Sequence, residues 1–333
     1  MSVKPKLFAL AAIAALGSTS AFALVGGSVD ANTATSPWAG VGAITFNGGV
    51  YSGALIDSTH VLTAAHVVSG QVGTPGNVSF SLNVGGDLTQ TLSASSISVF
   101  PGYTGTSPGA DGVWHDDLAI ITLGTPVTGA VPTYGFYSGS LSSKTITLVG
   151  YGGGGDGVNG VTSGANASVK RVGQNRVDRL LVDDDGGTAN EVFEFDFDGP
   201  TKSTNVFGPS NKSSNWTLGA NIEAQYAGGD SGSPVFINDK GVWKIAGIGI
   251  FNGGTSLSGG SSVKFGSVGG GTIVAPYLSW IGSTLAASAA AGSSTSVLGA
   301  ASVTPVPEPQ SWLMLLAGIG LVGGMVRRAN PAS

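Results

Sequence analysis

The chain has 333 residues, of which 56 are glycine and none is cysteine, and its formal net charge is −5. A hydrophobic content of 41% supplies material for a core and argues against wholesale disorder. The lack of cysteine excludes cysteine-rich zinc and iron–sulfur sites, and an acidic chain lacks the basic face that nucleic acid binding requires.

The first 23 residues have the three parts of a signal peptide. Lys4 and Lys6 supply the basic region, residues 7–16 the apolar stretch, and Ala-Phe-Ala at residues 21–23 the cleavage site. The apolar stretch is too short to cross a bilayer, which disfavours a membrane anchor. Cleavage after residue 23 would make Leu24 the new terminus of an exported protein.

Short runs rich in Val, Ile, Thr and Phe, separated by Gly, Asn and Ser, predict an all-β fold. A strand at residues 41–46 and the turn Asn-Gly-Gly at residues 47–49 predict a hairpin. Thr-Ala-Ala-His at residues 63–66 follows the next strands and ends on His66. Asp117 then opens Asp-Leu-Ala-Ile, a pattern typical of a short buried strand.

The heptapeptide Gly-Gly-Asp-Ser-Gly-Ser-Pro at residues 228–234 completes a set that indicates nucleophilic catalysis. A serine hydroxyl becomes a nucleophile when a histidine takes its proton and a carboxylate orients that histidine. The chain offers these groups in the order His66, Asp117, Ser231.

Two other triad orders fit the chain less well. An α/β-hydrolase needs a histidine after the serine, and none of the three histidines, which include His60 and His115, follows Ser231. The subtilisin order of acid, histidine, serine is possible with Asp30 or Asp57 as the acid, although neither lies in such a motif.

The three motifs in this order resemble the trypsin/chymotrypsin family of serine peptidases. The resemblance implies two six-stranded antiparallel β-barrels, residues 24–140 and 141–285, in one peptidase domain closed by a C-terminal helix. It implies that Ser231 attacks, that His66 is the base, that Asp117 orients it, and that the amides of Gly229 and Ser231 form the oxyanion hole. No cofactor and no metal ion are expected.

The resemblance also implies roles for residues around the nucleophile. The ammonium of Leu24, freed by signal peptidase, would pair with Asp230 and so activate the enzyme. Gln225, Ile250 and Phe251 would line the primary specificity pocket, where a neutral or apolar substrate side chain is expected.

Residues 153–218 are rich in Gly, Asn and Ser and contain two groups of acids. Asp-Asp-Asp at residues 183–185 and the pair Asp196 and Asp198 could indicate a calcium loop, but they lack EF-hand spacing. The pattern favours solvated loop acids, and whether these loops bind calcium stays open.

The end of the chain predicts a linker and a second targeting segment. Residues 286–305 are rich in Ala, Ser and Gly, which is typical of a flexible linker. Residues 306–333 contain Pro-Glu-Pro, an apolar run and two arginines, and resemble the PEP-CTERM sorting tag of Gram-negative bacteria. The resemblance implies recognition by an exosortase-type membrane enzyme, and the alternative is an ordinary membrane anchor.

Without the two targeting segments, residues 24–305 keep ten basic and eighteen acidic residues. The sequence thus predicts a monomeric, exported serine endopeptidase that acts on polypeptides at the cell surface or in the extracellular matrix, with a transient membrane-anchored form. Two alternatives remain, a non-catalytic surface or adhesion protein on the same scaffold and an esterase with the same chemistry.

Overall fold

A computed structural model describes residues 24–105, 108–109, 111–207, 217–219, 222–253 and 263–295. The predicted signal peptide and the predicted sorting tag lie outside the described residues. Within the described part of the chain, no helix is long and apolar enough to cross a membrane.

The first half of the domain contains a closed six-stranded barrel, as predicted. Its strands pair in the order β3-β4-β5-β8-β7-β6, and every pairing is antiparallel. The chain begins with β1 (Leu24–Val25) and β2 (Ser28–Val29), which pair with strands of the second half. The barrel strands are β3 (Val41–Phe46), β4 (Gly49–Leu55), β5 (His60–Thr63), β6 (Ser79–Val84), β7 (Asp87–Val99) and β8 (Ala119–Leu123). A short helix, α1 (Ala65–Val68), follows β5.

The second half is an eight-stranded antiparallel sheet in the order β13-β14-β17-β16-β15-β9-β12-β2, beside a three-stranded sheet β1-β10-β11. The closed second barrel that the resemblance implied is not found among the described residues; β13 and β2 remain edges of the larger sheet. The strands are β9 (Thr145–Gly150), β10 (Gly154–Asp156), β11 (Gly160–Ser163), β12 (Arg171–Arg176), β13 (Arg179–Val182), β14 (Asn190–Asp196), β15 (Pro234–Asp239), β16 (Val242–Gly253) and β17 (Val268–Ile273).

Aromatic side chains join the two halves. The ring of Trp38 lies 4.9 Å from that of Phe236 and 4.7 Å from that of Trp243, and Tyr134 packs edge-on against Phe236 at 4.7 Å. Such pairs contribute about 0.5–1.5 kcal/mol each beyond the area they bury. The halves therefore share one core, and residues from both can form a common site.

The closing helix is longer than predicted. A 3-10 turn at Ala275–Tyr277 leads into α2 (Leu278–Thr295), and Phe100 of the first half packs edge-on against Tyr277 at 4.8 Å. The helix continues past residue 285 into the segment predicted as a flexible linker. Its alanines explain the difference, because alanine is the residue that most favours a helix. The remaining linker residues, 296–305, lie outside the described residues.

Candidate active site

Adjacent strands bring His66 and Asp117 together. His66 lies in α1, directly after β5, and Asp117 directly precedes β8, which pairs with β5 through Thr63 and Ala119. The Nδ1 of His66 lies 2.6 Å from Oδ2 of Asp117, and the His66 main-chain N–H donates to Oδ1 at 2.8 Å. The imidazole side chain is 31% exposed and the carboxylate 3%. The Asp117 carboxylate thus holds the Nδ1 edge of the imidazole ring, while part of the ring remains exposed to solvent.

The neighbouring Asp116 contacts the hydroxyl of Tyr277. It adopts a left-handed φ of 59°, so that its side chain turns away from that of Asp117 and accepts a hydrogen bond of 2.9 Å from the hydroxyl of Tyr277. Burial, followed by the nearby carboxylates of residues 183–185, raises the pKa of Asp116. Of the two consecutive acids, only Asp117 contacts His66.

The acids considered for a subtilisin-type order do not contact His66. The carboxylate of Asp57 bonds His60, at 2.7 Å from Nδ1, while that of Asp30 accepts from the hydroxyl of Ser36 at 2.9 Å. His60 itself is buried at the start of β5. The structure therefore favours Asp117 as the acid partner.

The segment carrying Ser231 is bonded to the first barrel. The main-chain N–H of Ser52, in β4, donates to the Ser231 carbonyl at 3.0 Å, and its hydroxyl donates to the Gly229 carbonyl at 3.0 Å. Gly232 has a left-handed φ of 82°, and a Cβ there would lie 2.1 Å from Oγ1 of Thr63. The segment that carries Ser231 therefore packs tightly against β5, the strand that leads to His66.

No hydrogen bond joins Ser231 to His66 within the described part of the chain. The two residues line neighbouring cavities, of about 320 Å³ beside His66 and about 230 Å³ beside Ser231, which share Ile250 and Phe251. Catalytic hydrogen bonds are often long in unliganded enzymes and tighten when substrate binds.

Two amides beside Ser231 are free to bind an anion. The N–H groups of Gly229 and Ser231 donate no hydrogen bond within the described part of the chain. Gly229 has a left-handed φ of 97°, and a Cβ would lie 2.5 Å from that of Ala165, so the turn requires glycine. Adjacent unpaired donors of this kind can stabilise a developing oxyanion.

Asp230 is fully buried and bonded to main chain. Its carboxylate accepts hydrogen bonds of 2.9 Å from the N–H groups of Gly152 and Ala227. Burial raises the pKa of Asp230 to about 7, against the lowering effects of these bonds and of the Arg171 charge. Leu24 is buried in β1, where it pairs with Gly154. In the full chain Leu24 is joined to the residue before it, so it carries no free ammonium that could pair with Asp230.

The residues predicted for the specificity pocket separate into two groups. Ile250 and Phe251 line the cavity beside Ser231, together with Tyr226 and Asn252. Gln225 does not line it: its side chain is buried, and its amide nitrogen donates to the carbonyl of Ser267 at 3.3 Å.

A second titratable cluster surrounds His115, which is buried rather than at the surface. Its Nε2 lies 3.1 Å from Asp111, and its Nδ1 lies 3.3 Å from Glu191 and 3.6 Å from Asp184. Burial alone would lower the pKa of His115, but the bonds to Asp111 and Glu191 raise it. Three of these side chains, His115, Asp184 and Glu191, have their ligand-type atoms within 4.8 Å of one another.

Sequence reasoning missed two residues of the site. Ser52 belongs to no motif in the sequence, although it donates hydrogen bonds to the carbonyls of Gly229 and Ser231. Arg171 also belongs to no motif, although it is buried near Asp230 and donates to the Gly152 carbonyl at 2.6 Å. A lone Ser or Arg in a strand carries no signal for these contacts, because they come from a distant segment.

The structure thus joins a closed β-barrel to a second β half, and it places a histidine–carboxylate pair and a glycine-rich serine turn beside neighbouring cavities. Comparison with protein families agrees with the sequence-based recognition: the model of the trypsin-like peptidase domain matches residues 51–248, and the chain belongs to this family. The PEP-CTERM protein-sorting motif matches residues 305–329, which indicates export and sorting to the cell surface. No curated protein matches the chain.

Proposed function

We propose that the protein is an exported serine endopeptidase in which Ser231, His66 and Asp117 act as a catalytic triad. The observation that carries the proposal is the pair of bonds from His66 to Asp117, of 2.6 Å and 2.8 Å. A carboxylate on Nδ1 keeps a proton there and leaves Nε2 free to accept one from a serine hydroxyl.

The reaction proceeds in two halves. Ser231 Oγ forms a bond to the substrate carbonyl carbon while its proton passes to Nε2 of His66. The carbon–nitrogen bond then breaks, His66 returns the proton to the leaving amine, and an acyl-enzyme remains. Water attacks this ester with His66 again as base, which releases the acid and restores the serine. The amides of Gly229 and Ser231 stabilise the oxyanion, and removing one such donor costs about 2.7–4 kcal/mol in comparable sites.

Labelling with a fluorescent fluorophosphonate tests the activated serine. Wild-type protein is expected to become labelled, and Ser231→Ala to remain unlabelled while keeping the same thermal unfolding temperature. Equal absence of label in both folded proteins would refute the proposal. It would instead support the alternative of a non-catalytic surface or adhesion scaffold, which the missing Ser231–His66 hydrogen bond favours. Measuring the hydrolysis of peptide substrates then distinguishes an endopeptidase from an esterase.

The substrate preference that we propose is for a neutral or apolar side chain. The cavity beside Ser231 is lined by Tyr226, Ile250, Phe251 and Asn252, and the carboxylate of Asp230 is occupied by main-chain donors. Asp230 is the one acid in the described lining, and both of its oxygens accept main-chain hydrogen bonds, while Gln225 lies behind this wall. A panel of chromogenic peptides in which arginine substrates were cut fastest would contradict the preference.

Activation by signal peptidase is a further part of the proposal. Cleavage before Leu24 would free an ammonium at the start of β1, next to Gly154 of β10, and we propose that this ammonium pairs with the buried Asp230. Arg171 offers a competing counter-charge for the same carboxylate. Edman sequencing of active protein is expected to begin at Leu24, and any other start would remove this route of activation.

The sorting motif supports processing by an exosortase-type enzyme near the Pro-Glu-Pro. Mass spectrometry of the surface protein is expected to show a C-terminus close to residue 309, whereas an intact end would support a permanent anchor. A monomer is proposed, and light scattering of the purified protein measures its mass.

A further inference from the structure

Two acids predicted as solvated loop residues are buried. Asp196 ends β14 and Asp198 follows two residues later, so that both side chains point to the same face of the extended chain. They are 1% and 2% exposed. A 3-10 turn at Lys202–Thr204 folds the chain back, which brings Asn205 against the carboxylate of Asp198. The sequence could not predict this burial, because it depends on how the following segment folds.

Three side-chain oxygens of this cluster have no hydrogen bond. One oxygen of Asp196 accepts from the N–H groups of Val206 and Phe207, and one oxygen of Asp198 lies 3.4 Å from Nδ2 of Asn205. The other carboxylate oxygens, Oδ1 of Asp196 and of Asp198, and the amide oxygen of Asn205 are buried and unpaired within the described part of the chain. An unpaired buried acceptor costs about 1–3 kcal/mol, and a charged one costs more.

Two further carboxylates surround these oxygens. Asp178 accepts a hydrogen bond of 3.2 Å from the main-chain N–H of Asp196, and the buried Glu223 accepts one of 2.7 Å from that of Asp198. Burial and the neighbouring carboxylates of Asp196 and Glu223 raise the pKa of Asp198 to about 8. Burial also raises the pKa of Glu223 to about 7, despite its main-chain bonds. The cluster therefore brings four carboxyl groups together in a region with little water.

We propose that this cluster binds a calcium ion through the free oxygens of Asp196, Asp198 and Asn205. Calcium takes carboxylate and amide oxygens in irregular arrangements, whereas magnesium requires near-octahedral geometry and zinc prefers nitrogen and sulfur. The ion would give all three unpaired oxygens a partner at once and offset the repulsion among the acids. Asp178 and Glu223 do not need to contact the ion, because they hold the main chain of the two ligand aspartates.

The proposed calcium site is connected to the wall behind the substrate cavity. The side-chain nitrogen of Asn175 donates to the carbonyls of Asp196 and of Ala224, both at 2.9 Å. Ala224 lies next to Gln225, and Gln225 and Phe197 both bond the carbonyl oxygen of Ser267. Calcium at this position would stabilise the strand β14 and the segment that runs on to the nucleophile. Its removal is expected to lower stability first and activity as a consequence.

Two competing arrangements predict different results in one experiment. A proton shared between Asp178 and Asp196 could replace the ion, and the group of His115, Asp184 and Glu191 could hold the ion instead. We would strip the full chain with EDTA, titrate calcium chloride by calorimetry, and record thermal unfolding with and without calcium. The same titration with magnesium chloride tests the choice of ion.

Asp198→Asn is the decisive variant, with Asp184→Asn as the matched control. Wild type is expected to bind one calcium ion and to unfold several degrees higher when calcium is present. Asp198→Asn is expected to bind about tenfold more weakly or not at all, since affinity follows the number of charged ligands. In EDTA the unfolding temperature of Asp198→Asn is expected to be no lower than that of wild type, because the variant buries one ionisable group fewer. Asp184→Asn is expected to behave as wild type.

Three results would overturn the calcium site. These are no calcium binding by wild type, equal stabilisation by magnesium, and loss of binding in Asp184→Asn with retention in Asp198→Asn. If Asp198→Asn does not fold, Asn205→Ala removes an uncharged ligand oxygen and is expected to weaken binding. Unchanged binding by Asn205→Ala in that case counts against the site.

Discussion

Replacing Asp117 with asparagine tests the acid of the proposed triad. Asp117 accepts two hydrogen bonds from His66, of 2.6 Å from Nδ1 and 2.8 Å from the main-chain N–H. An amide has one acceptor oxygen, so one of these two donors must face an N–H of the new side chain. If that donor is Nδ1, the imidazole carries its proton on Nε2 and cannot accept one from Ser231. We expect kcat to fall about 10⁴-fold, a loss of roughly 5.5 kcal/mol of transition-state stabilisation.

The adjacent acid provides the matched control. Asp116→Asn makes the same chemical change one residue away, at a left-handed φ of 59° that asparagine tolerates. Its amide oxygen can still accept the hydrogen bond from Tyr277. We expect Asp116→Asn to stay within a few-fold of wild type in peptide hydrolysis and in the rate of fluorophosphonate labelling. Equal losses in both variants, or an Asp117→Asn enzyme with most of its activity, would refute the assignment of the acid.

Three further predictions concern the nucleophile segment and its cavity. Gly152→Ala would place a Cβ 2.3 Å from Cγ of Asp230 and is expected to cost about 1–3 kcal/mol in urea unfolding, while Gly228→Ala, with no atom within 4 Å of the added Cβ, should be near neutral. Because the folded-state pKa of Asp230, about 7, lies above its ordinary value of 3.8, the folded protein holds this proton where the unfolded chain has released it. The free energy of unfolding should therefore fall by up to about 4 kcal/mol as the pH rises from about 4 to 7. This fall with pH should be shallower in Asp230→Asn, and equal slopes in the two proteins would contradict the raised pKa of Asp230. Phe251→Gly removes a ring that packs across Gly270. The kcat/KM for phenylalanine peptides, divided by that for alanine peptides, is expected to rise about tenfold. An unchanged ratio would show that the ring does not limit the cavity.

The sequence contains a signal for the contact between His66 and Asp117, whereas it contains none for the contacts around them. His66 and Asp117 could be predicted because each lies in a short motif next to a strand, and the pairing of β5 with β8 brings the motifs together. The first barrel and the existence of a closing helix were also predicted correctly.

The features that sequence reasoning missed depend on distant contacts. Burial of Asp196 and Asp198 requires the fold of a later turn, and the position of Gln225 behind the cavity requires its bond to Ser267. The role of Ser52 depends on a segment 177 residues further along the chain. A local pattern carries no information about partners at such separations.

The bond between Ser52 and Gly229 has a consequence for the timing of activity during synthesis. Its two residues are 177 positions apart, so nearly the whole domain must emerge from the translocation channel before the bond can form. Contacts between distant residues form late, because loop closure must precede them. Until then the chain holds His66 without a positioned Ser231. Under the proposed mechanism, the unfinished chain therefore lacks an assembled catalytic site while it passes through the membrane.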